Sequence, residues 1–293
     1  SRFAITGTPD LMQLGHRLPG QLAFQSVIST AYMSAALDIT KPLVIAQAGK
    51  DKQLAERLLD DMSHVIERQS MGSGLALGIS EYGLDLAQIF RVDDSAKTLG
   101  LIDEYIEDIN AAEAGVHYKR MPVLVGGDSS HFFIVTFDRK QMKEANPALS
   151  MLVDAEFMEM ADAIDNGEMY LRIISKDNWM AAVAGEPKLL GRMRRALTQA
   201  SAFNPALDHI GADVEGDLVM AMSLDVRSLF NGMLAYLDAH PKTLKKELGS
   251  MGDQGVLSQL KPMPGPPATM SMSVASRSDG SVMSSLVFDV RQI

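Results

Sequence analysis

Six histidines, His16, His64, His117, His131, His209 and His240, are the side chains best suited to take a proton or hold a metal near neutral pH. Their spacing favours neither. No two stand three or four residues apart, and neither His-Glu-x-x-His nor His-x-His occurs, so no helix turn or strand aims two imidazoles at one ion. His117 and His131 flank a predicted hairpin with its turn near 127–128; on that register they lie about 20 Å apart along the ladder, too far to share a metal. His64 follows Asp60 by four residues on a predicted helix, the spacing of a solvated ion pair with a small effect on stability.

The acids are more numerous and no better placed. Asp103, Glu104, Glu107 and Asp108 share one predicted helix, and Asp154, Glu156, Glu159, Asp162 and Asp165 share another. Paired carboxylates do acid–base work when burial separates their pKa values; these lie beside or opposite apolar stripes, which puts them in water. Asp208, Asp213, Glu215 and Asp217 only loosely follow a calcium loop, which needs alternate ligands, a central Gly and a Glu at position 12; Gly211 and Gly216 do not meet that pattern. Gly126-Gly127-Asp128-Ser129-Ser130-His131 brings Ser, His and Asp together, but it lies between two predicted strands and lacks the second Gly of a nucleophile elbow, so it reads as a turn. Met71-Gly72-Ser73-Gly74 fails likewise, leading from a helix into a strand. No phosphate-cradling Gly loop of either common type is present. Lys188, Arg192, Arg194 and Arg195 form the one basic concentration; Arg192 and Arg195, three apart on a helix, suit a carboxylate or an acidic partner, and ion pairing with the chain's own acids is the simpler use. The expectation is no catalytic residue, no cofactor-binding residue, no metal ligand and no cofactor: not an enzyme.

Composition narrows the partners. Residues 1–150 carry 14 basic and 19 acidic side chains, residues 151–293 carry 13 and 18, and the formal net charge is −10. A negative field spread over both halves repels phosphate backbones and anionic membrane surfaces, so nucleic acid is not expected. No run of about 18 apolar residues marks a membrane span. With no cysteine, disulfides, thiolate metal sites and cysteine nucleophiles are excluded. The first residues, Ser1-Arg2-Phe3, fit removal of an N-terminal segment, an export signal being one explanation. The 20 methionines fill gaps in a core poor in aromatics, or line a groove for an apolar ligand or partner.

The elements that must position all this alternate between two periods. Leu22 to Asp38 reads as extended, as does Pro42-Leu43-Val44-Ile45-Ala46. Helical stripes follow: Leu54, Leu58, Met62, Val65, Ile66 from about Asp51 to Gln69; Leu99, Ile102, Ile106, Ile109 after a cap at Asp94 or Ser95; Val153, Phe157, Met160, Ile164 from about Ser150 to Asp165; Leu189, Leu190, Met193, Leu197 after Pro187; and Val226, Leu229, Phe230, Met233, Leu237. Gly72-Ser73-Gly74 is expected to stop the first of these helices. Between them lie predicted strands: Leu75–Ser80, Leu86–Val92, Val116–Val125, His131–Asp138, Tyr170–Ser175, Met180–Ala184 and Leu218–Leu224. Lys261 to Pro267 reads as an extended linker, and a hairpin closes the chain over Ala268–Val290. Its apolar rows, Met270, Met272, Val274 and Val282, Leu286, Phe288, Val290, share a face only if the register departs by one from a two-residue turn. A three-residue loop, Asp279-Gly280-Ser281, with Gly280 at positive φ, is expected.

The fold class expected is therefore α+β, a mainly antiparallel sheet from repeated strand–strand–helix units with helices packed on one face, in an N-terminal half (1–140) and a C-terminal half (141–293), which can also form one continuous domain. Trp179-Met180-Ala181-Ala182-Val183-Ala184-Gly185-Glu186-Pro187, the helix Leu189–Leu197 and the Ser-rich hairpin Ala268–Asp289 resemble uncharacterised exported bacterial proteins classed as a domain of unknown function. That resemblance implies a periplasmic or otherwise extracytoplasmic location and a non-catalytic role. The function expected is a binding or assembly protein with a protein partner, using sheet edges, the helical layer or the Met-containing strands; the alternative is a carrier or chaperone for an apolar small molecule in a Met-lined cavity.

Overall fold

The structure, a computed structural model, describes residues 8–48, 52–113, 115–122, 129–138, 141, 168–201, 204, 207, 210, 216–240, 260–265, 268–277, 279 and 281–288. The elements in chain order are α1 (Thr8–Gly15), β1 (Phe24–Ile28), α2 (Thr30–Gln47), α3 (Lys52–Glu67), β2 (Gln69–Ser80), β3 (Gly83–Val92), α4 (Ser95–Ala111), β4 (Val116–Met121), β5 (Ser129–Phe137), β6 (Glu168–Lys176), β7 (Trp179–Ala184), α5 (Pro187–Thr198), β8 (Asp217–Asp225), α6 (Val226–Ala239), β9 (Thr269–Ser276) and β10 (Val282–Phe288). Local chemistry sets several boundaries. Asp94 accepts from the Lys97 N–H at 3.0 Å to start α4, Pro187 occupies the first turn of α5, and Asp225 caps α6 through the Arg227 N–H. Asp177 and Asn178, both at positive φ, turn β6 into β7 in two residues.

All ten strands form one sheet in the order β10-β9-β8-β1-β2-β3-β7-β6-β5-β4, and every pairing is antiparallel. The α+β architecture with an antiparallel sheet is thus present. Strands from the two halves interleave: β1 lies between β2 and β8, and β3 pairs with β7.

Helices cover both faces of this sheet, which corrects the single layer expected. Because successive side chains alternate, the register sorts them. The front face carries Phe90, Met180, Ile173 and Phe133, closed by Leu99 and Ile106 of α4. Alongside α4 lies α3, and alongside α3 lies α2. The back face carries Ala76, Ala87, Ile89, Ala181, Val183 and Ile174, closed by Leu11 and Leu14 of α1 and by Leu189, Met193 and Leu197 of α5. Small side chains on the back let those helices approach closely. The central strands are apolar at consecutive positions, as in Met180-Ala181-Ala182-Val183, and such strands are buried on both sides.

Three local expectations also change. Residues 30–47 form a helix instead of extended segments. Ser29 accepts from the Tyr32 N–H and opens it, and the β-branched run Ile39, Thr40, Val44, Ile45 that imitates a strand lies on its outer half. Pro42 sits inside, so the helix forgoes one N–H bond there. Gly72-Ser73-Gly74 does not stop α3, which ends at Glu67; it belongs to β2, at a register irregularity between Gln69 and Ser73. Gly72 has φ +133°, and a Cβ there would lie 2.1 Å from the Ile28 carbonyl oxygen, so only glycine fits. In the closing hairpin the apolar rows do share a face, but Met272 pairs with Leu286, and the Arg277 N–H donates to the Ser281 carbonyl at 2.9 Å, so Ser281 belongs to the ladder and not to the loop. The conformation of Gly280 lies outside the described residues, as do the helix expected over Ser150–Asp165 and part of the expected linker. The rest of that linker is pinned: Asn231 of α6 exchanges two hydrogen bonds with the Met263 backbone, at 2.7 and 3.1 Å.

Candidate functional site

The titratable groups the sequence offered are mostly drawn into structure. Asp103 of α4 reaches across to the far end of the sheet, where one of its oxygens meets Arg120 at 3.1 Å and His131 at 3.0 Å. Arg120 also approaches the imidazole, at 3.3 Å. An imidazole backed by a carboxylate is the arrangement of a general base, but here the guanidinium shares the same carboxylate oxygen, and the trio ties α4 to β4 and β5. His117 points to the opposite face, pairs across the ladder with Thr136 and meets Gln141 at 3.3 Å. His240 stacks on Tyr236 with ring centroids 4.4 Å apart. Asp60 is taken by Lys41 of α2, and Arg192 by Glu186 at 2.8 Å. No three His, Asp or Glu side chains converge on a metal-sized space among the described residues. His209, Asp208, Asp213, Glu215 and the acids from Asp154 to Asp165 lie outside the described residues.

Two features were missed in the sequence. Asp85 of β3 is 3% exposed and accepts the Glu186 N–H at 2.6 Å. Burial raises its pKa above the usual carboxylate value, against hydrogen bonds from Glu186 and Ser80 that lower it. Gly185, at φ +107°, passes so close that a Cβ would lie 2.1 Å from the Asp85 oxygen; the acid locks the β7–α5 junction. The second is a shallow groove of about 380 Å³ lined by Phe132, Tyr170, Arg172, Glu186, Pro187 and Leu190, in which the Arg172 guanidinium lies 4.4 Å from the Phe132 ring centre.

The largest anomaly is at the β10 end. The register aligns Leu86, Leu77, Phe24, Leu224, Met270 and Phe288 in one row along the front face, crossing β3, β2, β1, β8, β9 and β10. A second row brings Met222, Met272 and Leu286 together. The first five members of the long row are partly buried, and Phe288 is 59% exposed. Val282, Leu286 and Val287 are also more than half exposed. On the back of the same strands the polarity is reversed. Ser271, Ser273, Ser223 and Gln25 are buried; Ser271 and Ser223 meet at 3.3 Å, and Asn204 donates to Gln25 at 2.8 Å and to the Gly15 carbonyl at 2.7 Å. On β8 and β9 the polar side is closed, while the apolar side, buried at Met220 and Val274, opens toward Leu286 and Phe288 of β10, against the partition water favours. Three methionines on that side, Met222, Met270 and Met272, are partly exposed, and a fourth, Met220, is buried beneath them. Two helices reach the front of this end: α2, whose Ile39 and Leu43 are themselves largely exposed, touches β2 and β8, and α6 lies against β2, where a Cβ on Gly232 would stand 3.4 Å from that of Ile79. β10 is the last strand, and no described strand pairs with its outer edge.

Comparison with family models, with curated proteins and with solved structures finds no match to this chain.

Proposed function

We propose that this chain is a non-catalytic binding or assembly protein that engages a protein partner through the β8–β10 end of its sheet. One observation carries the reading: an apolar row continuous with the protein's interior runs out, half-covered and then exposed, to a strand whose outer edge no described strand pairs. Contiguous exposed apolar surface of this kind is disfavoured in a free monomer and marks interaction sites. An extended edge adds main-chain hydrogen bonds, and alternate side chains add apolar contact. The extracytoplasmic location belongs to the same proposal and rests on the resemblance alone.

The methionines keep a second reading in view, carriage of an apolar small molecule on the same face. A photoreactive residue introduced at position 286, activated in extracts of the source cells, separates the two. The expected product is a covalent adduct with a polypeptide, absent when the group is placed at position 119 on β4. A lipid adduct with no polypeptide, matched by a lipid retained in native mass spectrometry, would transfer the function to carriage.

A further inference from the structure

We infer that the partner is a second copy of this chain, joined β10 to β10 in antiparallel fashion so that two ten-stranded sheets become one. The inference rests on the proposed binding role of this edge and specifies its occupant.

The hydrogen-bond alternation comes first. The bond from the Arg277 N–H to Ser281 makes 277–281 a hydrogen-bonded pair, so the pairs 275–283, 273–285 and 271–287 are of the same type. The outward N–H and C=O groups therefore belong to Val282, Ser284, Leu286 and Phe288, the residues whose side chains stand on the open apolar face. A second copy of β10, running antiparallel, must offer the same four. Of the allowed registers, one alone pairs all seven residues: Val282 with Phe288 of the second copy, Ser284 with Leu286, and Ser285 with itself on the two-fold axis.

That register is self-complementary in chemistry. The segment Val282-Met283-Ser284-Ser285-Leu286-Val287-Phe288 carries no charge, which matters in a chain whose formal net charge is −10. Small meets large across the axis, Ser284 against Leu286 and Val282 against Phe288, while Met283 meets Val287 on the other face. The axis is perpendicular to the sheet, so the front faces of both copies lie on one side and the apolar rows run on through the junction. The contact buries on the order of 1,000 Å² in total, the low end for specific interfaces, so association is concentration-dependent. Each copy repels the other through its net charge, and added salt strengthens the dimer by screening. An isologous two-fold contact is also the commonest closed arrangement of identical chains.

The absence of cysteine makes the register directly testable. On the axis Ser285 forms a non-hydrogen-bonded pair with Cα atoms about 4.5 Å apart, within disulfide range. Ser285→Cys should oxidise to a covalent dimer, whereas Ser284→Cys, offset from its own copy by two residues and on the other face, should form no disulfide-linked dimer. In sedimentation, the unaltered chain should shift from monomer to dimer with concentration, and Ser284→Lys or Leu286→Lys should hold it monomeric with an unchanged circular dichroism spectrum. A monomer at every concentration overturns the second-copy inference and leaves the binding role to stand or fall on the adduct at position 286. A dimer that survives both Lys variants, or that Ser285→Cys fails to lock, places the contact elsewhere and overturns it equally.

Discussion

The two ends of the sheet face the same difficulty, since any last strand presents unpaired backbone groups to water and to other chains. At the β4 end the difficulty is met within the chain. Asn110 of α4 donates to the Tyr118 carbonyl at 2.9 Å and accepts the Tyr118 N–H at 2.7 Å, which occupies the outward groups of that strand at its middle. Lys119 and Arg120 stand beside it, and α4 seals the face with Leu99 and Ile106. At the β10 end Val282, Leu286 and Phe288 stay more than half exposed, no described side chain occupies the edge, and no charge interrupts seven residues. A strand in the sequence of β4 is a terminus; a strand in the sequence of β10 is half of a junction.

The largest effect that sharpens this contrast comes from one residue type at both ends. Phe133, 2% exposed, packs edge-on against Tyr118 with centroids 6.2 Å apart; Phe288 is 59% exposed. Phe133→Ala should cost about 3–5 kcal/mol, and Phe288→Ala, in dilute monomer, no more than about 0.5 kcal/mol. Urea unfolding followed at the single tryptophan reads both: Trp179 is 6% exposed with the Arg17 guanidinium 3.9 Å above its ring, so its emission reports loss of the back-face core. Equal costs at the two ends would erase the comparison.

Next in size is the guard itself. Asn110→Ala strips both hydrogen bonds from Tyr118, at a cost of about 1–2 kcal/mol because water can partly replace them. Hydrogen exchange should show the Tyr118 amide losing protection while the Val135 and Phe133 amides keep theirs. Uniform loss across β4 and β5 would mean that Asn110 supports packing and not the edge.

How far the sequence reveals these two ends depends on what each clue measures. Caps and proline act within a turn, so the start of α4 at Asp94 and of α5 at Pro187 is readable. Alternation acts within a strand, so Met270, Met272, Val282, Leu286 and Phe288 can be assigned to one face before any fold is known. Strand order is different in kind. β1 pairs with β8 almost two hundred residues later, and nothing local announces that β10 is last in line; Leu286 reads like any inward leucine until its neighbour is known to be missing. Residues 30–47 mislead because their β-branched side chains imitate a strand, while the packing of that helix beside α3 decides the outcome. The Asp103–Arg120–His131 contact is hidden for the same reason, its members being 17 and 28 residues apart from the acid on three elements.

Between the two ends, Asp85 offers a smaller, pH-dependent comparison. Its folded pKa is raised, so its contribution to stability is complete below the unfolded value, near 3.9, and is lost as pH rises through the folded value. Asp85→Asn keeps an acceptor for the Glu186 N–H and removes the burial of charge. It should leave stability at pH 7 unchanged or slightly higher, by up to about 1 kcal/mol, and flatten the gain seen in the parent on acidification from neutral pH. A steeper profile in the variant would show that the ionised form is the one the junction prefers.

The smallest effect on stability tests which part of the β4 end does the guarding. Arg120 is a largely exposed partner of Asp103, and exposed pairs contribute about 0–1 kcal/mol. Lys119→Thr with Arg120→Thr should therefore shift the urea midpoint little, and the chain's sedimentation should not change, because Asn110 still occupies the Tyr118 backbone. Adding Asn110→Ala to this pair removes the hydrogen-bonded guard as well as the charges, and only then should a second mode of association, beyond any through β10, emerge with concentration. Association already present in the double variant would mean that charge, and not the asparagine, keeps this edge closed. The β10 edge, which has neither, would then differ from it by two charged side chains alone.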